Sequence, residues 1–273
     1  MLTWNGHCYR IADIAGSRKM MREYNNMTAC VPQAETDIFQ KYQRGVLNVG
    51  MTNHSSKAGI LETVFTRFWF KMFGTMGFTL VFFIAYVYLL HHPAAPVIIV
   101  PTTRLDGLVT FQPWALPIYL SLWAYVSLPP VLMHSHREIV AYGFKVALPC
   151  LTGLAIFYFW PNAIAPAAID WQQYPGVAFL KNVDTAGNAF PSLHVATAVF
   201  SCLWLHWRLQ GLQWGRTVQW VNIIWCLAIA YSTMAVKQHV ALDVLAGTLL
   251  GVLSALLCGL KNHAQMPKPQ ADR

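Results

Sequence analysis

Six apolar stretches, at residues 72–90, 113–133, 139–160, 192–209, 217–236 and 239–260, dominate this 273-residue chain and leave little room for any other organisation. A helix needs roughly 20 predominantly apolar residues to cross the ~30 Å hydrocarbon layer of a bilayer. Only helices and closed barrels can do so without stranding backbone polar groups. The pattern therefore predicts an all-α fold, a polytopic membrane protein built as a six-transmembrane-helix bundle. Composition agrees: 56% of the residues are hydrophobic and 11% are charged, against about 25% charged in an ordinary soluble domain. Pro129 and Pro130 lie in the second stretch, and His194 and Arg208 lie in the fourth. Both features are tolerated in a membrane helix whose neighbours re-satisfy the freed or buried polar groups.

The formal charge of +8 raises nucleic acid as a partner. The basic residues do not form the aromatic-interleaved patch such a partner needs; they sit between the apolar stretches. With a cytoplasmic N-terminus, fifteen Lys and Arg fall on the cytoplasmic side, including all nine up to Lys71. Three fall on the other side, Arg104, Lys181 and Lys237, while Lys145 lies inside the third stretch. The positive-inside bias then places both termini in the cytoplasm.

Three regions follow: a cytoplasmic N-terminal segment at 1–65, a six-span domain at 66–260 and a cytoplasmic tail at 261–273. The first is polar and has no apolar run suited to a signal peptide. Ile11, Ile14, Arg18 and Met21 have helical spacing, which leaves an amphipathic surface helix and a disordered tail as open readings. Met51 is a second plausible start. The six cysteines, Cys8, Cys30, Cys150, Cys202, Cys226 and Cys258, avoid the external loops and form no zinc-type spacing, so neither a disulfide framework nor a metal site is expected. Tryptophans near span ends, such as Trp114, Trp160, Trp214 and Trp220, read as interfacial anchors.

Ionisable groups within or at the ends of membrane helices are costly, so each is a functional candidate. The sixth span opens Lys237-Gln-His239-Val-Ala-Leu-Asp243. On a helix His239 and Asp243 share one face, about 6 Å apart along the axis. A carboxylate there holds one imidazole nitrogen and leaves the other as a nucleophile or base. Gly247 and Gly251 continue the same spacing and give a small-residue stripe for close helix packing; the plainer alternative makes Asp243 a structural acid satisfied by His239. The fourth span opens Asn188-Ala-Phe-Pro191-Ser192-Leu-His194. Pro191 suits the first helical position, which puts Ser192 and His194 in the first turn, where free N–H groups can hold a phosphate. The plain alternative is a capped helix start with an incidental interfacial histidine. The fourth and sixth spans begin on the same side, and the fifth ends there with Ser232 and Thr233. Topology thus gathers His194, His239, Asp243 and two hydroxyls at one membrane face. That set fits phosphoryl transfer through a phosphohistidine, and no nucleophile-elbow motif for a serine hydrolase is present.

Pro191-Ser192-Leu193-His194, followed by Ser232-Thr233-x5-His239-x3-Asp243, resembles the second and third signature motifs of the phosphatidic acid phosphatase type 2 superfamily, PSGH and SRx5Hx3D. The resemblance covers roughly residues 66–260 and implies a lipid phosphatase or phosphotransferase with no cofactor. By position it implies His239 as nucleophile, Asp243 as its partner, His194 as the acid that protonates the leaving group, and Ser192 as a phosphate contact. Two departures stand out. The first motif, Kx6RP, has its best register at Tyr158-x6-Ala165-Pro166, without either cation, and the Arg expected after Ser232 is Thr233.

Transfer of a phosphate monoester, with nearly two negative charges, leans on Arg and Lys clamps. A phosphodiester carries one charge and suits a site with fewer cations. PSLH with Ser-Thr also resembles the inositol phosphorylceramide synthase branch, with details around His239 similar to its bacterial members, which implies transfer of a phosphorylated headgroup between lipids (an inositolphosphotransferase-like reaction). Among the remaining cations Lys237 is the leading phosphate-binding candidate, followed by Lys181. Arg104 and Asp106 either pair with each other or line the entrance. Asp184 and Asn188 either orient a substrate hydroxyl or cap the fourth helix, with capping favoured. His91, His92, His134 and His136 fall too far from the motifs, or on the wrong side, to join the site.

The expected protein is thus an inner-membrane enzyme of a bacterial cell with its site facing the periplasm or exterior. Its partners are membrane lipids, a phosphate or phosphodiester donor and a lipid hydroxyl acceptor. Alternatives are a lipid phosphate monoester or polyprenyl diphosphate phosphatase, and a non-catalytic lipid transporter that kept the fold.

Overall fold

The computed structural model describes residues 62–183 and 187–259, together with the backbone of 2–4 and 7–9. The chain divides into two units, Met1–Leu61 and Glu62–Arg273. In the first, strand β1 (Leu2–Trp4) pairs antiparallel with β2 (His7–Tyr9), Leu2 opposite Tyr9. The helical spacing at Ile11, Ile14, Arg18 and Met21, as well as Cys30, Met51, Asp184 and the tail after Gly259, lies outside the described residues.

Every one of the six apolar stretches is helical. The first is α1 (Phe68–His91). A short parallel strand pair follows outside the spans, β3 (Ile98–Val100) with β4 (Asn162–Ile164), and a one-and-a-half-turn helix, α2 (Arg104–Leu108). The second stretch is broken into a 3-10 turn (Pro113–Ala115), α3 (Leu116–Leu120) and α4 (Leu122–Val131). Its interruption falls at Ser121, whose hydroxyl donates back to the Ile118 carbonyl at 2.6 Å. Then come α5 (His136–Phe159), the peripheral α6 (Pro175–Val183), α7 (Leu193–Gly211), α8 (Arg216–Ala235) and α9 (Ala241–Leu257).

Among the described residues three helices are long and apolar enough to cross a membrane: α1, α5 and α8, with mean hydropathies of 1.9, 1.7 and 1.3. The other three stretches fall short for separate reasons. The second is interrupted; α7 has 19 residues but carries His194, His206 and Arg208; α9 has 17 residues. The expectation of a six-span bundle is narrowed accordingly to three candidate spans among the described residues.

Helix α7 is the hub, packed against α4, α5, α8 and α9. Its Phe200, Trp204 and Leu205 are buried with Tyr125, Tyr142 and Ile229. The small-residue stripe works as its spacing predicts. A Cβ on Gly247 would lie 2.3 Å from the Ser192 carbonyl oxygen, and one on Gly251 2.6 Å from the Ala196 carbonyl oxygen. Backbone therefore meets backbone along the α7–α9 seam, which no side-chain-bearing residue permits.

Arg208 and Lys71, buried at the end of the bundle away from the candidate site, have partners there, as buried ions need. Arg208, 2% exposed, lies 3.4 Å from the Glu138 carboxylate and donates to the Leu132 carbonyl. Lys71 donates to the Thr63 and Val131 carbonyls at 2.6 and 2.9 Å. Helix α5 starts on a Ser135 cap that accepts from the Glu138 N–H, while Glu138 accepts from the His134 N–H. His134 and His136 belong to this end, where they contact Thr63 and Arg67. Burial and the nearby Arg208 charge lower the His134 pKa. Cys150, Cys202, Cys226 and Cys258 are free thiols.

Candidate active site

The ends of α1, α5 and α8 and the starts of α7 and α9 meet at the opposite end of the bundle. There the turn from α8 to α9 delivers His239. Helix α8 closes with a Schellman pair, Gln238 N–H to the Thr233 carbonyl at 3.0 Å and Lys237 N–H to the Met234 carbonyl at 3.0 Å. The motif needs a left-handed residue after the cap, and Lys237 occupies it at φ 57°. A non-glycine residue there costs roughly 1–2 kcal/mol. The His239 N–H shares the same Thr233 carbonyl at 3.1 Å.

His239 is therefore not on a helix. Helix α9 starts at Ala241 with Val240 as its cap, which corrects the expectation of two groups on one helical face. The pair still forms, because Asp243 occupies the third helical position, from which a carboxylate reaches back over the helix start. Its Oδ2 accepts from the Val240 N–H at 3.0 Å and lies 3.4 Å from His239 Nδ1. Asp243 is 0% exposed, and its Oδ1 is buried without a hydrogen-bond partner. A carboxylate on Nδ1 makes that nitrogen the protonated one and leaves Nε2 with its lone pair.

Ser192, not Pro191, begins the second motif's helix. Ser192 is the cap, its Oγ accepting from the Val195 N–H at 3.3 Å, and the helix runs from Leu193. Pro191 thus precedes the cap, and Asn188 does not cap the helix. Asn188 adopts φ 51°, its N–H donates to the Asn162 carbonyl at 2.7 Å and its side chain to the Tyr86 carbonyl at 3.4 Å. The Ser192 N–H donates to the Asp243 carbonyl at 3.1 Å, so the two motifs are joined directly through backbone.

His194 lies in the first turn of α7, stacked on the Tyr119 ring with centroids 4.0 Å apart and planes 15° from parallel. Its Nε2 lies 3.2 Å from the Tyr119 carbonyl oxygen. A carbonyl can only accept, so Nε2 carries a hydrogen and Nδ1 is the nitrogen left outside this contact. His194, His239 and Asn188 line one cavity of ≈ 780 Å³ whose remaining lining is largely aliphatic and aromatic.

The hydroxyls and cations expected around a phosphate have other partners. Ser232 and Thr233, both buried, donate back into their own helix, to the Ile229 and Ala230 carbonyls. The Lys237 ammonium donates to the Val109 carbonyl, and the Lys181 ammonium to the Lys237 carbonyl and, at 3.1 Å, to Gln238 Oε1. Lys181 also lies over the Trp171 ring.

Asp106 does not pair with Arg104. It accepts from the Thr103 N–H and hydroxyl and, across 135 residues, from the Ala241 N–H at 2.7 Å. It thus caps α9 from outside. Burial pushes its carboxyl up, but the Thr103 and Ala241 donors and the Lys237 charge outweigh that and hold it below the ordinary carboxylate value.

Three supporting residues escape sequence reasoning. Asp106 was placed at the entrance rather than on α9. Tyr119 sits in an apolar stretch and reads as core. Asn162, 1% exposed, accepts from the Phe190 N–H at 2.7 Å and donates to the Trp160 and Phe190 carbonyls. It holds the segment that leads into Ser192. The available signal for Asn162 was its position as a lone amide just past the end of an apolar stretch.

No group of residues suited to a metal ion is present among the described residues. No curated protein and no solved structure matches the chain. Residues 139–267, which carry most of α5 together with His194, His239 and Asp243, match the family described as the PAP2 superfamily.

Proposed function

We propose that this chain is an integral membrane lipid phosphotransferase that works through a phosphohistidine on His239 and moves a phosphorylated headgroup from one lipid to the hydroxyl of another. The observation that carries the reading is the presence of two histidines, held at different ring nitrogens, in the lining of one apolar cavity. His239 is held at Nδ1 by a fully buried carboxylate, and His194 is held at Nε2 by a backbone carbonyl. The match of residues 139–267 to the PAP2 superfamily supports phosphoryl chemistry of this kind.

In the first step His239 Nε2 attacks phosphorus, the bond to the departing alcohol oxygen breaks, and His194 Nδ1 gives that oxygen its proton. In the second step the acceptor hydroxyl passes its proton to His194 Nδ1 and attacks phosphorus, breaking the P–N bond. The vacant Oδ1 of Asp243 supplies acceptor capacity as charge develops on His239. Ser192 serves as the helix-start contact for the phosphate. Lys237 and Lys181 act at the rim of the site through the turn they brace, together with the hydroxyl-bearing end of α8 at Ser232 and Thr233 and the amide of Asn188.

Donor charge favours a phosphodiester over a monoester, because the external lysines are already engaged by carbonyls. The apolar cavity favours a lipid hydroxyl over water as acceptor. The six helical stretches cross the membrane with both termini cytoplasmic, and the site faces outward.

Incubation of the purified chain with a phosphorus-labelled phosphodiester lipid tests this. The expected result is an acid-labile, base-stable label on the peptide containing His239, chased into a new lipid by diacylglycerol or ceramide. Release of the water-soluble phosphorylated headgroup alone, with no new lipid formed, would make the protein a hydrolase. His239→Ala should abolish label and turnover; unchanged turnover in that variant would overturn the catalytic reading in favour of a lipid carrier.

A further inference from the structure

The cavity that holds the two histidines does not end with them. Along α1 its lining runs from Tyr86 to Phe70, sixteen residues or about 24 Å at 1.5 Å per residue. A single leaflet of the ~30 Å hydrocarbon layer is about 15 Å deep, so the cavity extends well past the midplane. Its polar end is fixed: Tyr86 is where Asn188 docks on α1, and His194 and His239 open there. The far end is walled by Phe70, Pro130 and Ile139.

Two glycines mark the deep half. Gly74 and Gly143 both line the cavity, and a Cβ on either would meet nothing within 4 Å. They differ in this from Gly247 and Gly251, which are glycine because backbone presses on them. Gly143 shares its helix face with Ile139 and Val146, and Gly74 with Phe70 and Phe78, all cavity-lining. Gly74 is twelve residues before Tyr86, about 18 Å below the histidines. A glycine within a helix forfeits roughly 1 kcal/mol relative to alanine, and no contact requires either of these.

We infer that the cavity is a length-selective channel for the hydrocarbon tail of the donor lipid, with the phosphorus at His239 and the tail running down α1 to the open level of Gly74 and Gly143. This rests on the phosphoryl-transfer reading above and adds to it the substrate class, a phosphate ester whose tail is longer than one leaflet is deep. A tail in this channel passes between the helices, while the outward side of α1, with Leu80, Val81 and Ile84 exposed, meets the surrounding bilayer.

The test uses the full chain in detergent with two chromogenic phosphodiesters, octyl and oleyl p-nitrophenyl phosphate. Nitrophenolate release reports attack on phosphorus, with nitrophenolate departing in place of the donor's alcohol while the tail stays on phosphorus, and the octyl tail is less than half as long as the oleyl. Gly74→Leu and Gly143→Leu fill the channel at its deep level and favour helix, so both variants should fold. Each should lower kcat/KM for the oleyl ester about tenfold, at the low end of an overpacking cost, and leave the octyl ester within about twofold. Equal effects on both esters, or none on either, would overturn the inference.

A second measurement does not depend on turnover. An oleyl phosphodiester with a diazirine at the tail end, photolysed with wild type, should label peptides around Gly74 and Gly143, and labelling should fall in the leucine variants. Labelling confined to the Leu80–Ile84 side would show bilayer contact and overturn the channel. Labelling at the glycines without nitrophenolate release would uphold the channel and refute the phosphohistidine; release with no dependence on tail length would refute the channel alone.

Discussion

Gly247→Ala is the sharpest test of how the site is held. The added methyl would sit 2.3 Å from the Ser192 carbonyl oxygen, where a carbon and a carbonyl oxygen ordinarily approach to about 3.3–3.6 Å. The nearest atom is backbone, so no side chain can swing aside; α9 and α7 must separate by about 1 Å. Such overpacking costs about 1–3 kcal/mol. The Ser192 N–H bond to the Asp243 carbonyl, 3.1 Å, adds about 1 kcal/mol if it breaks, and the helix preference of alanine over glycine returns about the same amount. A net loss of about 1–3 kcal/mol remains. Chemistry should suffer more, because α7 carries His194 and α9 carries Asp243, and a 1 Å misplacement of reacting groups can cost about 100-fold. The assay pairs thermal unfolding in detergent with nitrophenolate release, with Gly77→Ala, where nothing lies within 4 Å and which is not in the cavity lining, as the comparison. Wild-type melting and wild-type kcat/KM in Gly247→Ala would refute the close seam and with it the account of how the two motifs are brought together.

Two further outcomes follow from the supporting residues. Asn162→Ala removes three hydrogen bonds of 2.7–2.9 Å at a residue 1% exposed; at about 1 kcal/mol each it should destabilise the protein by about 3 kcal/mol and lower kcat more than it raises KM, and an unchanged unfolding midpoint would contradict this. Asp106→Asn tests the external cap of α9. Because the folded carboxyl is held below its ordinary value, its contribution to stability is fully present above the unfolded pKa of about 3.9 and is lost as pH falls through the lower folded value. The variant should therefore melt below wild type at neutral pH, with the gap closing in acid, and a gap that is the same at all pH values would rule out the carboxylate's charge as its source.

The His239–Asp243 pairing was legible because it is local. His239 and Asp243 are four positions apart, and that separation brings them together whether the histidine lies on the helix or, as here, in the turn before it. For the same reason the geometry was misread while the pairing was right: a Schellman turn followed by a carboxylate at the third helical position meets the same spacing as two groups on one helical face. Pro191 illustrates a contest between local rules, in which the Ser192 hydroxyl, bonded to the Val195 N–H, takes the cap and moves proline outside the helix. The small-residue stripe at Gly247 and Gly251 was readable because backbone contact leaves a compositional trace. Tyr119, Asn162 and Asp106 left none. They act across 75, 28 and 135 residues, and no periodicity encodes which carbonyl or N–H will lie opposite such a side chain.

Hydrophobic patterning by itself determined six helical stretches, and the four-residue spacing determined the His239–Asp243 pair, since both depend on positions close along the chain. Tertiary packing alone decided three things. It broke the second stretch so that the Tyr119 carbonyl meets His194 Nε2. It turned the lysines towards carbonyls rather than an open cleft. It left an apolar channel running from the histidines past the level of Gly74. Each is a choice of partner among groups far apart in sequence, made by which surfaces close against one another when the helices pack.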